Sequence, residues 1–179
     1  MDTRPRRDLD TAQGELRALH AEVDDRARAL AAKHVDRLQC TRGCAQCCVD
    51  DLTVFAVEAV HIRRHHAALL REGAPHPTGA CAFLSEDGAC RIYRERPYVC
   101  RTQGLPLRWF DPAGAVPVER RDICPLEDTG PPITELADGD CWLLGPYEAR
   151  LAEIQQRLDE AAGAPENRVA LRSLFLRAT

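Results

Sequence analysis

Aromatic side chains and methionine are scarce in this sequence of 179 residues, which contains four Phe, three Tyr, two Trp and one Met. Much of the apolar content is alanine, so we expect a core of modest size that a cross-linking metal would stabilise. No window approaches the roughly 18 consecutive apolar residues that cross a bilayer, so no membrane span is expected. The first ten residues carry basic charge but no apolar stretch. No signal peptide is therefore expected, and the predicted location is cytoplasmic.

The sequence also lacks an excess of basic charge and the common catalytic signatures. Its formal net charge is −4, which argues against nucleic acid as a partner. It has no G-x-G-x-x-G, no P-loop, no H-E-x-x-H and no G-x-S-x-G nucleophile elbow. Any catalysis therefore has to come from a metal centre or from a redox-active thiol.

Cysteines are clustered to an unusual degree. Four of the nine fall within nine residues, and of the five that follow, the first three are spaced by nine and ten residues. Soft sulfur ligands that converge on one ion or cluster need such grouping, whereas cysteines that only fill a core do not. The odd count and the missing export signal favour reduced thiols over extracellular disulfides. The predicted metal ligands are Cys40, Cys44, Cys47, Cys48, Cys81, Cys90 and Cys100.

Apolar periodicity and turn residues predict the elements that carry these thiols. Apolar steps of three and four indicate a long helix over 9–38, which packs on its own domain or, alternatively, pairs with another subunit. We expect a short extended piece at 52–55, a helix over about 56–72, a turn at Asp87-Gly88 and a β-hairpin over 105–119 that closes through Asp111–Gly114. A last helix is expected over 146–162, with a short terminal helix within 165–177. The predicted fold is mostly α, with irregular cysteine-rich loops and one small β-hairpin. We expect a single metal-centred domain over 1–179, whose metal-binding part spans about 40–104.

Several residues near these elements allow two interpretations each. His61 and His65 lie one helical turn apart, which suits a chelating pair or an exposed polar face. Cys124 and Cys141 suit additional ligands or small buried apolar residues. Three arginines next to candidate ligands would lower thiol pKa values or would form surface salt bridges; they are Arg91, Arg96 and Arg101.

The motif Cys44-Ala45-Gln46-Cys47-Cys48 is followed by an extended piece and a helix. Three further sequence motifs come after the helix: Cys81-Ala82-Phe83-Leu84, Cys90-Arg91-Ile92-Tyr93, and Arg96-Pro97 with Cys100-Arg101. This combination resembles the YkgJ-like cysteine-cluster family, the CxxCxxCC zinc- or iron-chelating domain, over about residues 40–104. Three residues separate Cys40 from Cys44, where the family usually has two. The resemblance implies a bound zinc or iron–sulfur centre, and family members often carry the label of iron–sulfur oxidoreductase. Flagellin lysine methylases share a similar motif, which implies a methyl-transfer role as another alternative.

The choice between zinc and an iron–sulfur cluster stays open at the level of the sequence, since all-sulfur ligation suits both. Seven motif thiols exceed the four ligands of one structural zinc site, and the adjacent Cys47 and Cys48 suit different parts of a larger site. Both features favour an iron–sulfur cluster. Against it, the ferredoxin run C-x₂-C-x₂-C-x₃-C-P is absent, and Cys124-Pro125 matches only its end.

Three functional hypotheses follow. The first is a cytosolic metal-binding protein that holds an iron–sulfur cluster and exchanges electrons with a redox partner. The second is a zinc-stapled module that binds a protein partner and catalyses nothing. The third is an enzyme related to the lysine methylases. The sequence names neither a substrate nor a partner.

Overall fold

Helices dominate the part of the chain that the computed structural model describes, residues 4–113, 116–162 and 168–175. The helices are α1 (Arg4–Lys33), α2 (Ala56–His65), α3 (Ala67–Glu72), α4 (Tyr98–Arg101) and α5 (Pro146–Ala162), with short 3₁₀ turns at Tyr93–Glu95, Ile133–Glu135, Asp138–Asp140 and Leu171–Phe175. The strands are β1 (Thr53–Phe55), β2 (Leu107–Asp111), β3 (Val118–Asp122), β4 (Trp142–Leu143) and β5 (Arg168–Ala170). A mostly helical chain with small strands and cysteine-rich loops is therefore confirmed. The described helices include none that combines the length and apolar content of a membrane span.

The first hydrophobic cluster, which we call the helical core, lies between α1 and α5. Leu16, Leu19 and Val23 of α1 are fully buried there against Leu151 and Ile154 of α5. These residues recur in steps of three and four and so line one face of each helix. The long helix thus packs within its own chain, which was the favoured sequence prediction.

The N-terminal helix ends at Lys33, earlier than the predicted residue 38. A turn follows the helix, in which the amides of Arg37 and Leu38 both donate to the carbonyl of His34. The ring of His34 also bonds to the carbonyl of Asp140, at 2.7 Å. The chain therefore turns before it reaches Cys40, instead of delivering that thiol directly from a helix end.

The second cluster, which we call the loop core, underlies the cysteine-rich loops. Ile62 of α2 packs there with Phe83 and Phe175, all buried. Cys81 and Cys90 pack against the edge of this cluster. The loops that carry these two thiols are therefore anchored by apolar contacts rather than suspended in solvent.

Two predicted helices differ in the structure. The helix over 56–72 is broken at His66, whose backbone leaves the helical region (φ −123°, ψ 29°), although the segment still stops before Gly73. The terminal helix over 165–177 is wrong within the described residues 168–175. There β5 pairs antiparallel with β1, Val54 opposite Val169, and a 3₁₀ turn follows. The β-branched strand β1 needs a partner for its backbone groups, and this distant segment provides it.

The predicted hairpin is present as β2 and β3, which pair antiparallel with Trp109 opposite Arg120. Its expected turn over Asp111–Gly114 reaches residue 114, which lies outside the described residues. A third strand, β4, adds to the other edge of β2 in parallel. The amide of Trp142 donates to the carbonyl of Pro106 at 2.7 Å, which joins the hairpin to the segment that leads into α5.

Candidate metal centre

The first four cysteines lie on a tight loop after α1. The amide of Cys44 donates to the carbonyl of Thr41 at 3.0 Å, and the amide of Cys48 donates to the carbonyl of Ala45 at 2.9 Å. Gly43 has a φ of +91°, a conformation that glycine adopts without steric strain. Two successive turns therefore compress the four thiols into a short loop, as the sequence predicted.

The Asp87-Gly88 turn joins the segments of Cys81 and Cys90. Leu84 and Cys90 form an antiparallel bridge, and the amide of Ser85 donates to the carbonyl of Ala89 at 2.9 Å. Gly88, at φ +75°, lies so close to the first loop that a Cβ on it would be 2.9 Å from the carbonyl oxygen of Gly43. This turn therefore packs directly on the loop that carries the first four cysteines.

Hydrogen bonds fix the segments that carry Cys81 and Cys100. The amide of Cys81 donates to the carbonyl of Cys48 at 2.9 Å. Helix α4, which carries Cys100, is fixed at its start because the amide of Tyr98 donates to the buried carboxylate of Glu58 at 2.7 Å. Glu58 also accepts a bond from the amide of Phe55, at 3.2 Å.

The charges of some thiols affect the pKa values of thiols in other segments. Cys100 interacts with Cys81, Cys90 and Cys47, and Cys48 interacts with Cys47, Cys81 and Cys100. At the other end, Cys40 interacts with Cys44 and Cys47. We call these seven residues the thiol belt: Cys40, Cys44, Cys47, Cys48, Cys81, Cys90 and Cys100.

The cysteines of the thiol belt are reduced. All nine cysteines lie in the described residues, and all are free thiols. In residues 4–113, 116–162 and 168–175, however, no three Cys, His, Asp or Glu side chains are arranged closely enough to be a formed metal site. The role of the seven sulfurs as metal ligands therefore stays a prediction.

Burial and mutual contact shift the thiol pKa values in both directions. Burial, followed by the hydrogen bond to Glu127, raises the pKa of Cys40 to about 12. Burial, followed by neighbouring thiols, raises the pKa of Cys100 to about 12. Burial also raises the pKa values of Cys81 and Cys90. Cys48 donates a hydrogen bond to Cys47, which lowers the pKa of Cys47 to about 6 and raises the pKa of Cys48.

The three arginines next to candidate ligands, Arg91, Arg96 and Arg101, form specific salt bridges or hydrogen bonds within the protein. Arg101 is buried and pairs with Asp24 at 2.5 Å, and Arg96 reaches the same carboxylate at 3.5 Å. Arg91 donates to the carbonyl of Ala82 at 2.6 Å. Arg96 and Arg91 do act to lower the pKa of Cys90, but desolvation outweighs them. Their main contribution is therefore to hold the loops in place.

The two histidines of the predicted pair differ in exposure, since His61 is buried and His65 is exposed. His61 is 5% exposed, and its Nδ1 lies 3.0 Å from Oε1 of Gln13 on α1. The ring of His65 lies 4.2 Å from that of His61, centre to centre, and its Nδ1 bonds to the carbonyl of His61 at 2.8 Å. Both rings thus use a nitrogen in bonds within the protein, so the interpretation of an exposed polar face is wrong for His61.

The two remaining cysteines lie in different surroundings. Cys141 is buried at 3% exposure, with Nη1 of Arg121 4.0 Å from its sulfur. Cys124 is partly exposed and begins a turn in which the amide of Glu127 donates to its carbonyl at 2.8 Å. Neither position decides between a ligand and a structural residue.

Two polar residues near the belt, Glu127 and Arg172, were missed by the sequence analysis. Glu127 accepts a hydrogen bond from the thiol of Cys40 at 3.0 Å. Arg172 donates to the carbonyls of His76 and Ala80 and pairs with Asp50 at 2.8 Å, which joins the segment before Cys81 to the residues after Cys48. Glu127 and Arg172 are far in sequence from the belt cysteines that they support and belong to no motif, so only their positions in the fold identify them.

The described residues thus combine several helices with nine free cysteine thiols. Residues 39–115 match the model of the family described as "CxxCxxCC: Putative zinc- or iron-chelating domain". The resemblance seen in the sequence is thereby confirmed for this segment, and the family description supports metal binding. Comparisons with curated proteins and with solved structures give no match.

Proposed function

We propose that the thiol belt binds an iron–sulfur cluster and that the protein is a small electron carrier of the CxxCxxCC type. The observation that supports this most directly is the hydrogen bond of 2.9 Å from the amide of Cys81 to the carbonyl of Cys48, which places two separate segments with candidate ligands side by side. Thiolate sulfur is the donor that iron–sulfur clusters require, so the residues present fit this group. When bound, such a cluster would accept and release single electrons.

The protein's own residues hold and orient the thiols. Glu58 fixes the start of α4, and the Asp87-Gly88 turn presses against the loop of Cys44. Burial in apolar surroundings around Cys81 and Cys90 limits the access of solvent to a bound centre. Solvent access and hydrogen bonds to sulfur are the factors by which a protein sets the potential of such a centre.

Preparation of the protein without oxygen tests this proposal. We expect brown protein whose visible absorption bleaches with dithionite and which contains iron and acid-labile sulfide. The variants Cys48→Ser and Cys100→Ser should lose this absorption, and Cys141→Ser tests whether that buried cysteine outside the belt belongs to the site as well. Unchanged iron and sulfide in both belt variants would remove these residues from the site.

A zinc-stapled module without catalysis is the second candidate function. It is favoured by the packing of Cys81 and Cys90 on the loop core, because a zinc ion there would add a further cross-link between loops that already pack together. Colourless protein with stoichiometric zinc would support this function over electron transfer. The methylase-related alternative rests on the motif resemblance alone. The cytoplasmic location, the single-domain organisation and a redox partner stay predictions.

A further inference from the structure

A cleft at the C-terminal end of α1 is built by residues outside the family segment. One wall is the end of α1 and the turn after it, from Lys33 to Arg37, and the other wall comes from the segment over 129–140. The volume of the cleft is about 760 Å³, which is in the usual range for pockets that hold small organic molecules. All its lining residues lie outside residues 39–115. The cleft and the thiol belt are therefore formed by different residues.

Arg37 is a buried cation on the wall of this cleft, and its hydrogen bonding is incomplete. Its side chain is 7% exposed. One terminal nitrogen, Nη2, donates to the carbonyl of Pro131, whereas the other, Nη1, has no hydrogen-bond partner among the described residues. The carboxylate of Asp128 lies 3.9 Å from Nη1, and that side chain is 60% exposed. A buried charge with an unused donor is unfavourable, so the cleft fits an anionic acceptor that the described side chains do not provide.

The other charged groups on the walls have partners or face solvent. Nζ of Lys33 donates to the carboxylate of Asp140 at 2.7 Å and to the carbonyl of Gly139 at 3.2 Å. Asp36 is exposed. The lining residues thus include two cations and two carboxylates. Recognition of an anion here depends on the donors of Arg37 rather than on a strongly positive cleft.

The cleft also has an apolar part, because Pro131 and Leu136 are among its lining residues. The planar guanidinium matches a carboxylate, which can accept hydrogen bonds from both terminal nitrogens. We propose that the cleft binds a small organic carboxylate, whose anionic group accepts hydrogen bonds from Arg37 and whose apolar body packs on Pro131 and Leu136. This binding site is independent of the metal-binding function proposed for the thiol belt.

The test is an NMR titration of ¹⁵N-labelled full-length protein at constant metal content, with three probes. Benzoate has a carboxylate and an apolar ring, benzamide has the same shape without the charge, and inorganic phosphate has charge without the ring. We expect benzoate to cause saturable shift changes that are localised to residues 33–38 and 129–140. Benzamide should bind about tenfold more weakly, because the hydrogen bonds to a charged acceptor are lost. Phosphate should also bind more weakly than benzoate, since it lacks the apolar contact.

Four variants separate the contribution of Arg37 from that of the fold. Arg37→Gln should weaken benzoate binding about tenfold, and Arg37→Lys should bind with intermediate affinity because it keeps the charge but loses the planar donors. Asp128→Asn should tighten benzoate binding about twofold, since it removes a carboxylate that competes for Nη1. A gain of affinity cannot result from damage to the fold. The control is Arg28→Gln on α1, at a side chain that is 76% exposed, paired with Asp25 and outside the cleft.

Four results would overturn the proposal. Equal affinities for benzoate and benzamide would show that the carboxylate is not recognised. Unchanged benzoate affinity in Arg37→Gln would remove Arg37 from the site. Phosphate binding that is tighter than benzoate binding would assign the cleft to a different class of anion. A lack of localised shift changes with benzoate, up to its solubility limit, would mean that the cleft binds no such ligand. Thermal unfolding of each variant identifies any loss of the fold, and none of these results changes the metal content on which the proposed function is tested.

Discussion

The thiols of the belt differ in pKa, and this difference affects how metal binding responds to pH. Contact with Cys48 lowers the pKa of Cys47. Burial raises the pKa values of Cys40 and Cys100 to about 12. Metal ligation requires thiolates, so binding must displace protons, above all from the thiols whose pKa is raised.

We therefore predict that Zn²⁺ affinity rises with pH between 6.5 and 8.5, by roughly tenfold per pH unit for each proton displaced. The affinity rises rather than falls with pH, because at lower pH protons compete with the metal for the cysteine sulfurs. Calorimetric titration in buffers of different ionisation enthalpy counts the protons released. A proton count of zero at pH 7.5 would contradict the raised pKa values.

His61 gives the fold a second dependence on pH, which is separate from the belt. Burial, with a smaller contribution from His65, lowers the pKa of His61 to about 4, from an ordinary value near 6.5. Burial also lowers the pKa of the adjacent His20. A base whose pKa is depressed by folding contributes full stability above the unfolded value and loses it as the pH falls towards the folded value.

We predict that metal-free protein loses on the order of 2 kcal/mol of unfolding free energy between pH 7 and pH 4.5, mostly below pH 6.5. Urea unfolding at several pH values measures this loss. His61→Gln should reduce the dependence on pH, while His76→Gln, at a partly exposed position, should leave it unchanged. Equal slopes in all three proteins would show that His61 is not the titrating group.

Among the elements, those with a local sequence signal were predictable. The face of α5 with Tyr147 and Leu151 repeats every three to four residues, and the observed bounds match the predicted 146–162. The Asp87-Gly88 turn has its own local chemistry. Strands β4 and β5 have no such signal, because a strand of two or three residues exists only through a distant partner, and Val169 pairs with Val54 across the chain. Glu127 was missed for the same reason, since it is 87 residues from Cys40.

The contact between the two cysteine loops depends on the small size of Gly88. We predict that Gly88→Ala destabilises the protein by about 2 kcal/mol, because the left-handed backbone is unfavourable for alanine and the new Cβ would press on Gly43. It should also weaken metal binding. The matched control is Gly79→Ala, at φ +100° with nothing within 4 Å of the new Cβ. If both variants lose the same stability in urea unfolding, the contact with Gly43 contributes nothing.

The C-terminal segment after β5 positions one of the cysteine loops through Arg172. Its guanidinium donates to the carbonyls of His76 and Ala80 and pairs with Asp50. We predict that Arg172→Gln lowers metal affinity about tenfold, as expected when support for a ligand is lost. Arg168→Gln is the control, because Arg168 contacts Thr53 and Phe55 away from this loop. Equal Co²⁺ affinities in the two variants would contradict this role.

At the scale of the whole molecule, the thiol belt lies where the two hydrophobic clusters meet. Cys100 is on α4, whose Tyr98 is part of the helical core, whereas Cys81 and Cys90 pack on the loop core. A centre bound by these thiols would connect the two cores. Such a connection compensates for a composition that is poor in aromatic residues, because ligand binding adds to the free energy of unfolding.

We therefore predict that a strong chelator, under reducing conditions, lowers the melting temperature by about 10 °C. Binding at a thousandfold excess over Kd contributes about 4 kcal/mol, and each kcal/mol corresponds to about 2–4 °C in a chain of this length. Hydrogen exchange should then accelerate over residues 44–48 and 81–100 more than over α5, which is packed against α1 independently of the belt. Uniform acceleration over the whole chain would mean that the metal stabilises global folding without connecting the cores. An unchanged melting temperature after complete metal removal would show that the metal centre does not stabilise the fold.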